Sequence, residues 1–133
     1  MRIFLAAQYP RRDELREHAK RLRELGVFVT SRWLVESAPL DGNMGDEPDG
    51  YYRAAALIDL ADIDKSEAVI FFSEDPLVGV VRGGRHVEFG YAVALNKAVY
   101  VIGPKENVYH HLHGVKHYDS LDELIEKENL KWE

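Results

Sequence analysis

The chain has 133 residues, no cysteine and a formal net charge of −6, which is long enough for one domain, residues 1–133, with a real hydrophobic core. Without cysteine, neither a disulfide framework nor a thiolate metal site is possible. The acidic balance argues against nucleic acid as the main partner, but a small anionic ligand in a locally basic pocket remains compatible with it.

In chain order, Ile3 to Ala7 reads as a first strand that ends at Gln8-Tyr9-Pro10. Nothing in Met1 to Leu5 has leader character, and no apolar run is long enough to cross a membrane, so the expectation is a soluble cytoplasmic protein with no membrane partner. A charged helix follows from about Arg11 to Leu25, with Leu15, Ala19, Leu22 and Leu25 as its apolar face and Gly26 as its stop. Val27 to Thr30 is a second strand. Ser37 to Gly50 is rich in glycine, proline and acids, longer than most connections, and is expected to be a lid or a mobile loop.

Tyr51 to Lys65 reads as a helix with Leu57, Leu60, Ala61 and Ile63 among its buried positions. Its aspartates are unusual, since Asp is a poor helix former. Asp62 and Asp64 are adequately explained as exposed charges, and Asp59 lies about one turn before Asp62, a spacing that lets the two share a face. Ala68 to Phe72 is a continuous apolar run of the kind found in buried parallel strands. A turn-rich break at Ser73-Glu74-Asp75-Pro76 leads to Arg82-Gly83-Gly84-Arg85, and a helix follows with Val87, Tyr91, Ala94 and Leu95 at helical spacing. Ala98 to Ile102 is a fourth strand closed by Gly103-Pro104. Val108 to Leu112 suggests one helical turn, Val115 to Tyr118 a fifth strand, and Ser120-Leu121-Asp122-Glu123 a capping box that opens a last helix to about Glu128.

Strands alternating with helices predict a three-layer α/β fold of the flavodoxin or Rossmann type. The expected mostly parallel five-stranded sheet has order 2-1-3-4-5 and helices on both faces. In such a sheet the ligand crevice lies at the carboxyl ends of the strands, where strands 1 and 3 part. Ala6 to Tyr9, Ser73 to Glu88 and the loop after Ile102 should converge there. The glycine loop and helix start supply free backbone N–H groups and a positive helix end. Glu88, placed in the first turn, is expected to be held ionised, as a nucleophile or charge stabiliser. Capping alone also accounts for an early-turn Glu.

The first strand, Asp59-Leu60 with Ala68-Val69-Ile70-Phe71 downstream, and Glu88-Phe89-Gly90-Tyr91-Ala92-Val93-Ala94-Leu95-Asn96-Lys97 together resemble the nucleoside 2-deoxyribosyltransferase-like superfamily. That group includes deoxyribosyltransferases, 2′-deoxynucleoside 5′-phosphate N-hydrolases and CMP N-glycosidases. The resemblance implies cleavage of an N-glycosidic bond of a nucleoside or nucleotide, with the sugar passed to another base or to water. It puts the nucleophile on Glu88 and the proton-handling acid on Asp59. It also implies substrate contacts from Ala7, Gln8, Tyr9, Arg82, Gly83, Gly84, Arg85 and Asn107, with no cofactor and no metal. The strand-1 tyrosine that family members often carry falls near Ile3 or Phe4 and is absent, with Tyr9 as a substitute just beyond. The loop around Asn107 is implied to reach the site of a second copy, making a homodimer or higher homo-oligomer with shared sites.

The chemistry suits the residues independently. Breaking an N-glycosidic bond develops positive charge at the anomeric carbon, which a carboxylate stabilises or captures, while the leaving base needs a proton from a second carboxyl of raised pKa. His110, His111, His113 and His117 crowd the segment after strand 4, but no carboxylate stands among them at ligand spacing, which disfavours zinc. His86 is open between a ligand contact and a surface position. The alternative function is a nucleotide-binding sensor or regulatory module without turnover on the same fold.

Overall fold

The computed structural model describes residues 1–35, 49–75 and 83–130. Of the expected long loop over Ser37 to Gly50, residues 37–48 lie outside the described residues, as does Arg82, while Asp49 and Gly50 open a helix instead. Five strands form one parallel sheet: β1 (Arg2–Ala6), β2 (Phe28–Val29), β3 (Ala68–Phe72), β4 (Ala98–Ile102) and β5 (Val115–Tyr118), in the order β2-β1-β3-β4-β5. The helices are α1 (Arg12–Glu24), α2 (Asp49–Lys65), α3 (Gly84–Ala94) and α4 (Leu121–Lys127), with short 3-10 turns at Tyr9–Arg11, Arg32–Leu34 and Val108–His111.

The strand alternation sorts the core into two halves. Ile3 and Leu5 of β1, with Ala68, Ile70 and Phe72 of β3, face Leu15, Ala19 and Leu22 of α1 and Leu121 and Leu124 of α4. Phe4, Ala6, Val69 and Phe71 point the other way, against Ile63 of α2 and Phe89 and Ala92 of α3. All five residues of β3 are buried because it is covered on both faces, which is why its sequence is an unbroken apolar run. The first helix buries the expected stripe, since period 3.6 puts residues 15, 19 and 22 on one side. Ser120 caps α4 by accepting from the Glu123 N–H, as the capping box predicts.

Three expectations about helix faces are corrected. Val87, Ala94 and Leu95 of the α3 stretch are exposed, and Arg85, Phe89 and Ala92 form the buried stripe instead. Both sets recur at three- and four-residue steps, so periodicity alone does not choose between them. On α2, Leu57 is exposed rather than buried. Asp62 is only 1% exposed and accepts from the Arg32 backbone N–H at 2.9 Å and its Nε at 2.8 Å. It ties α2 to the turn after β2, so it is a structural anchor and not a solvated charge.

The carboxyl edge of the sheet is laced together by backbone contacts. Ser73 N–H donates to the Ile102 carbonyl, and Arg11 reaches across from α1's side to the Ser73 carbonyl at 3.2 Å. At Gly103, with φ +109°, an added Cβ would stand 2.5 Å from Ser73 Oγ, so only glycine lets β4 leave the sheet this close to the end of β3. These ties hold the turn after β1 and the ends of β3 and β4 beside one another, as the crevice argument requires.

Candidate active site

Helix α3 starts abruptly. Gly83 adopts φ +86°, a left-handed conformation that glycine tolerates without strain, and its carbonyl accepts from the N–H groups of His86 and Val87. The helix therefore begins at Gly84, and there is no acid in its first turn. Glu88 lies in the second turn, which corrects the expectation of a first-turn carboxylate. The field of the helix end falls off within the first turn, so other forces set the state of Glu88.

Those forces come from α2. Glu88 and Asp59 are in hydrogen-bonded contact across the α2–α3 interface. Burial pushes the Glu88 carboxyl well above the usual carboxylate range, and the charge of Asp59 and the hydrogen bond with it push in the same direction. Two carboxyls in contact cannot both ionise cheaply. The direction of that shift runs against the ionised Glu88 that the sequence led us to expect.

Arg85, on the same helix, has a different task. Its guanidinium is buried and grips Glu106 through both Nη atoms, one of them at 2.6 Å. Burial alone would raise the Glu106 carboxyl, but hydrogen bonds from Arg85 and from the Glu74 backbone bring it below the usual range. The Arg85 guanidinium also lies 5.0 Å from the centre of the Phe71 ring. It is committed to this pair, where an open donor for a phosphate was expected. Sequence reasoning missed Glu106 because its partner is 21 residues away across two loops.

Around this pair sits an aromatic cluster. Phe71, His86, Phe89 and His110 stack at tilted or edge-on angles, with centroids 4.9–6.2 Å apart. His110 is fully buried, its Nδ1 accepts from the Glu106 backbone N–H, and burial drops its pKa to about 4. It is a neutral core residue. His86 is half-buried and its pKa is lowered, by burial first and then by Arg85. Among the described residues no group of three or more His, Asp or Glu is placed to hold a metal, and no helix is long and apolar enough to cross a membrane.

The remaining expected contacts fall on the same edge. Ala7, Gln8 and Tyr9 are half-buried just past β1, with Tyr9 beside Trp33 at 6.4 Å between ring centres. Gly83 is half-buried and Gly84 exposed at the start of α3. Asn107 caps the turn after β4: its side-chain oxygen accepts from the Tyr109 N–H at 2.9 Å, and its amide nitrogen lies 3.5 Å from His86 Nδ1. This contact links the β4 loop to the helix that carries Glu88.

The molecule is thus an open parallel α/β protein with the Glu88–Asp59 acid pair between the two helices on one face of its sheet. No protein-family model matches the chain, and no curated protein sequence does either. Among solved structures it is similar to a CMP N-glycosidase of Clostridium botulinum, with a TM-score of 0.59 and 22% identity over 98% of this chain and 99% of that one. At that identity the likeness is one of fold, and it extends over the whole of both chains.

Proposed function

We propose that the protein is a member of the nucleoside 2-deoxyribosyltransferase-like superfamily that cleaves the N-glycosidic bond of a nucleoside or nucleoside 5′-monophosphate. The observation that carries this reading is the Glu88–Asp59 contact. An acid pair holding one proton supplies both groups the reaction needs, a carboxylate and an acid. The fold shared with a CMP N-glycosidase supports it.

When substrate enters, the proton passes along the hydrogen bond to Asp59, leaving Glu88 as a carboxylate. Glu88 then attacks the anomeric carbon as the C–N bond breaks. Asp59 gives its proton to the departing base, whose nitrogen takes the bonding pair. Water, or a second base, then attacks the same carbon, the glycosyl ester to Glu88 breaks, and Asp59 takes up the attacking group's proton. The raised pKa of Glu88 means that the resting protein keeps its proton in the site until a substrate arrives to use it.

The shared site expected at Asn107 belongs to this reading. Val108, Tyr109 and Leu112, next to Asn107, leave apolar side chains exposed at 76%, 62% and 44%, a surface suited to a second copy. A binding module would have no use for two carboxyls contesting one proton.

The test is incubation with a panel of nucleosides, deoxynucleosides and their 5′-monophosphates, with free base read by chromatography. Release of base from one class supports the reading. Tight binding across the panel without base release transfers the site to the sensor class. Mass measurement in dilute solution tests the pairing: a fully active monomer removes the shared site.

A further inference from the structure

Helix α2 carries Asp59, yet its apolar packing does little to fix where that residue stands. Of the 17 residues of α2, only Asp62 and Ile63 are buried. Ala54, Ala55, Ala56 and Ala61 offer small side chains, and Leu57 is exposed. Apolar burial has no direction, so a helix with one buried apolar side chain turns or slides on the sheet unless something else holds it. Near the end of α2, Tyr91 donates to the Asp64 carboxylate and Lys97 to the Asp64 carbonyl. Both contacts are exposed, where water competes for the same groups.

Asp62 supplies the buried hold. Its two oxygens take separate donors from one residue, the Arg32 backbone N–H at 2.9 Å and the Arg32 Nε at 2.8 Å. A two-pronged, charge-assisted contact of this kind sets direction as well as distance. The residues on either side of Arg32 are themselves tied to β1. Ser31 Oγ accepts from the Leu5 N–H at 2.7 Å, and Trp33 Nε1 donates to the Leu5 carbonyl at 2.9 Å. Leu5 lies within the sheet, opposite Ile70 of β3.

A chain of directional contacts therefore runs from β1, through the turn at Arg32–Leu34, to Asp62 of α2. One helical turn before Asp62, about 4.5 Å along the axis, stands Asp59, in hydrogen-bonded contact with Glu88. Reacting groups keep their geometry when the residues behind them are locked in this way.

We propose that Asp62 and Arg32 are positioning residues for the acid pair: their contact sets the rotation and height of α2 at which the Asp59 carboxyl meets Glu88. This role rests on the reading of Glu88 and Asp59 as the reacting acids, and it adds the residues that hold them in register. Asp62 and Arg32 take no part in the proton transfers and act through Asp59. An apolar pair of similar size can replace a buried ion pair without loss of stability, but it carries no direction. That difference separates positioning from fastening. A displacement of about 1 Å in a reacting group is enough to cost about 100-fold in rate.

The test compares the wild type with Arg32→Met, with the double change Arg32→Met and Asp62→Leu, and with Arg32→Lys, all in the full chain. Chemical denaturation reads stability. Base release from the panel of nucleosides and 5′-monophosphates reads kcat and KM, and carboxyl carbon-13 NMR of labelled glutamate reads the Glu88 midpoint. Arg32→Met leaves a buried carboxylate without its cation and should lose stability, and the double change should return most of that loss. It should not return the register. In the double variant kcat should stay about 10–100-fold below the wild type, with KM within about threefold. Its Glu88 midpoint should fall toward the ordinary carboxylate range as Asp59 moves away. One positive and one negative charge leave together, so that fall reports lost contact and not a change of nearby charge. Arg32→Lys keeps the charge without the Nε prong and should show the same changes to a smaller extent.

A double variant with wild-type stability, midpoint and kcat overturns the positioning role and leaves Asp62 as a fastening of the fold alone. In a protein that releases base, a fall in kcat with the midpoint unchanged overturns it too, as does a falling midpoint with kcat intact. If the double variant does not fold, the Arg32→Lys midpoint and kcat decide in the same sense. A wild type that releases no base removes the glycosidase reading, and the midpoint alone then decides whether Asp62 and Arg32 hold the two acids together. A wild type that releases base, with both variants indifferent, keeps the glycosidase reading and removes the positioning role.

Discussion

Helix α3 carries two buried contacts that involve a glutamate, and they are tuned in opposite directions. At its start, Arg85 meets Glu106, and the pair is neutralised, closed on both sides and pulled below the usual carboxylate range on its acidic member. One turn later, Glu88 meets Asp59, and like meets like, with the carboxyl pushed up by burial and by its neighbour. The first contact is what a fold needs to fasten three loops. The second gives a fold nothing that a Gln or a Leu would not give more cheaply, and the proposed chemistry gives it a use. Burial of a carboxyl is thus not by itself a mark of function. The informative feature is a buried carboxyl whose partner does not neutralise it.

The largest expected effect comes from breaking the second contact. Glu88→Gln keeps size and hydrogen bonding and removes the proposed nucleophile, so base release should fall by about three to five orders of magnitude with the fold intact by circular dichroism. Next is the first contact. Arg85→Ala leaves Glu106 buried without its cation and should cost about 3–5 kcal/mol of stability in chemical denaturation. The double change Arg85→Met with Glu106→Leu should recover most of that loss, because it removes both charges together. Asp59→Asn should slow base release roughly 100-fold, and less for substrates whose leaving group needs little protonation.

The contrast between the contacts was only partly legible in the sequence. Glu88 and Asp59 stand in a recognisable pattern, and the continuous apolar run of β3 between them fixes the strand that brings α2 and α3 together. The Ser120 cap and the boundaries of β4 and β5 were readable for the same reason, since local chemistry decides them. Glu106 was not readable, because nothing near it in sequence announces a buried cation 21 residues away. Asp62 was missed likewise, its partner Arg32 being 30 residues distant. The face of α3 was missed for another reason: residues 85, 89 and 92 and residues 87, 91, 94 and 95 both obey helical spacing, and only tertiary packing selects between them. Glu88 was read as ionised because the helix was taken to begin later than Gly83's left-handed turn allows.

The smallest expected effect is on stability as a function of pH. Glu88 has a folded pKa raised above its unfolded value. Its native form therefore holds a proton that the unfolded chain has already released above about pH 4.3. Stability is lost as pH rises from there through the raised value. Glu88→Gln removes that loss while its amide still donates to Asp59. The variant should melt a few degrees above the wild type at neutral pH, and the difference should close near pH 4, as differential scanning calorimetry would read.

The central claim is that Glu88 and Asp59 hold one proton between them, and carboxyl carbon-13 NMR of selectively labelled glutamate measures it directly. Glu88 is assigned by its loss in Glu88→Gln, and its shift is followed against pH in the wild type and in Asp59→Asn. The account predicts a Glu88 midpoint well above the ordinary carboxylate range in the wild type. In Asp59→Asn it should move part of the way back, since burial persists when the neighbouring charge is gone. A Glu88 that titrates near pH 4 in both proteins would contradict the shared proton and with it the assignment of this pair as the reacting acids.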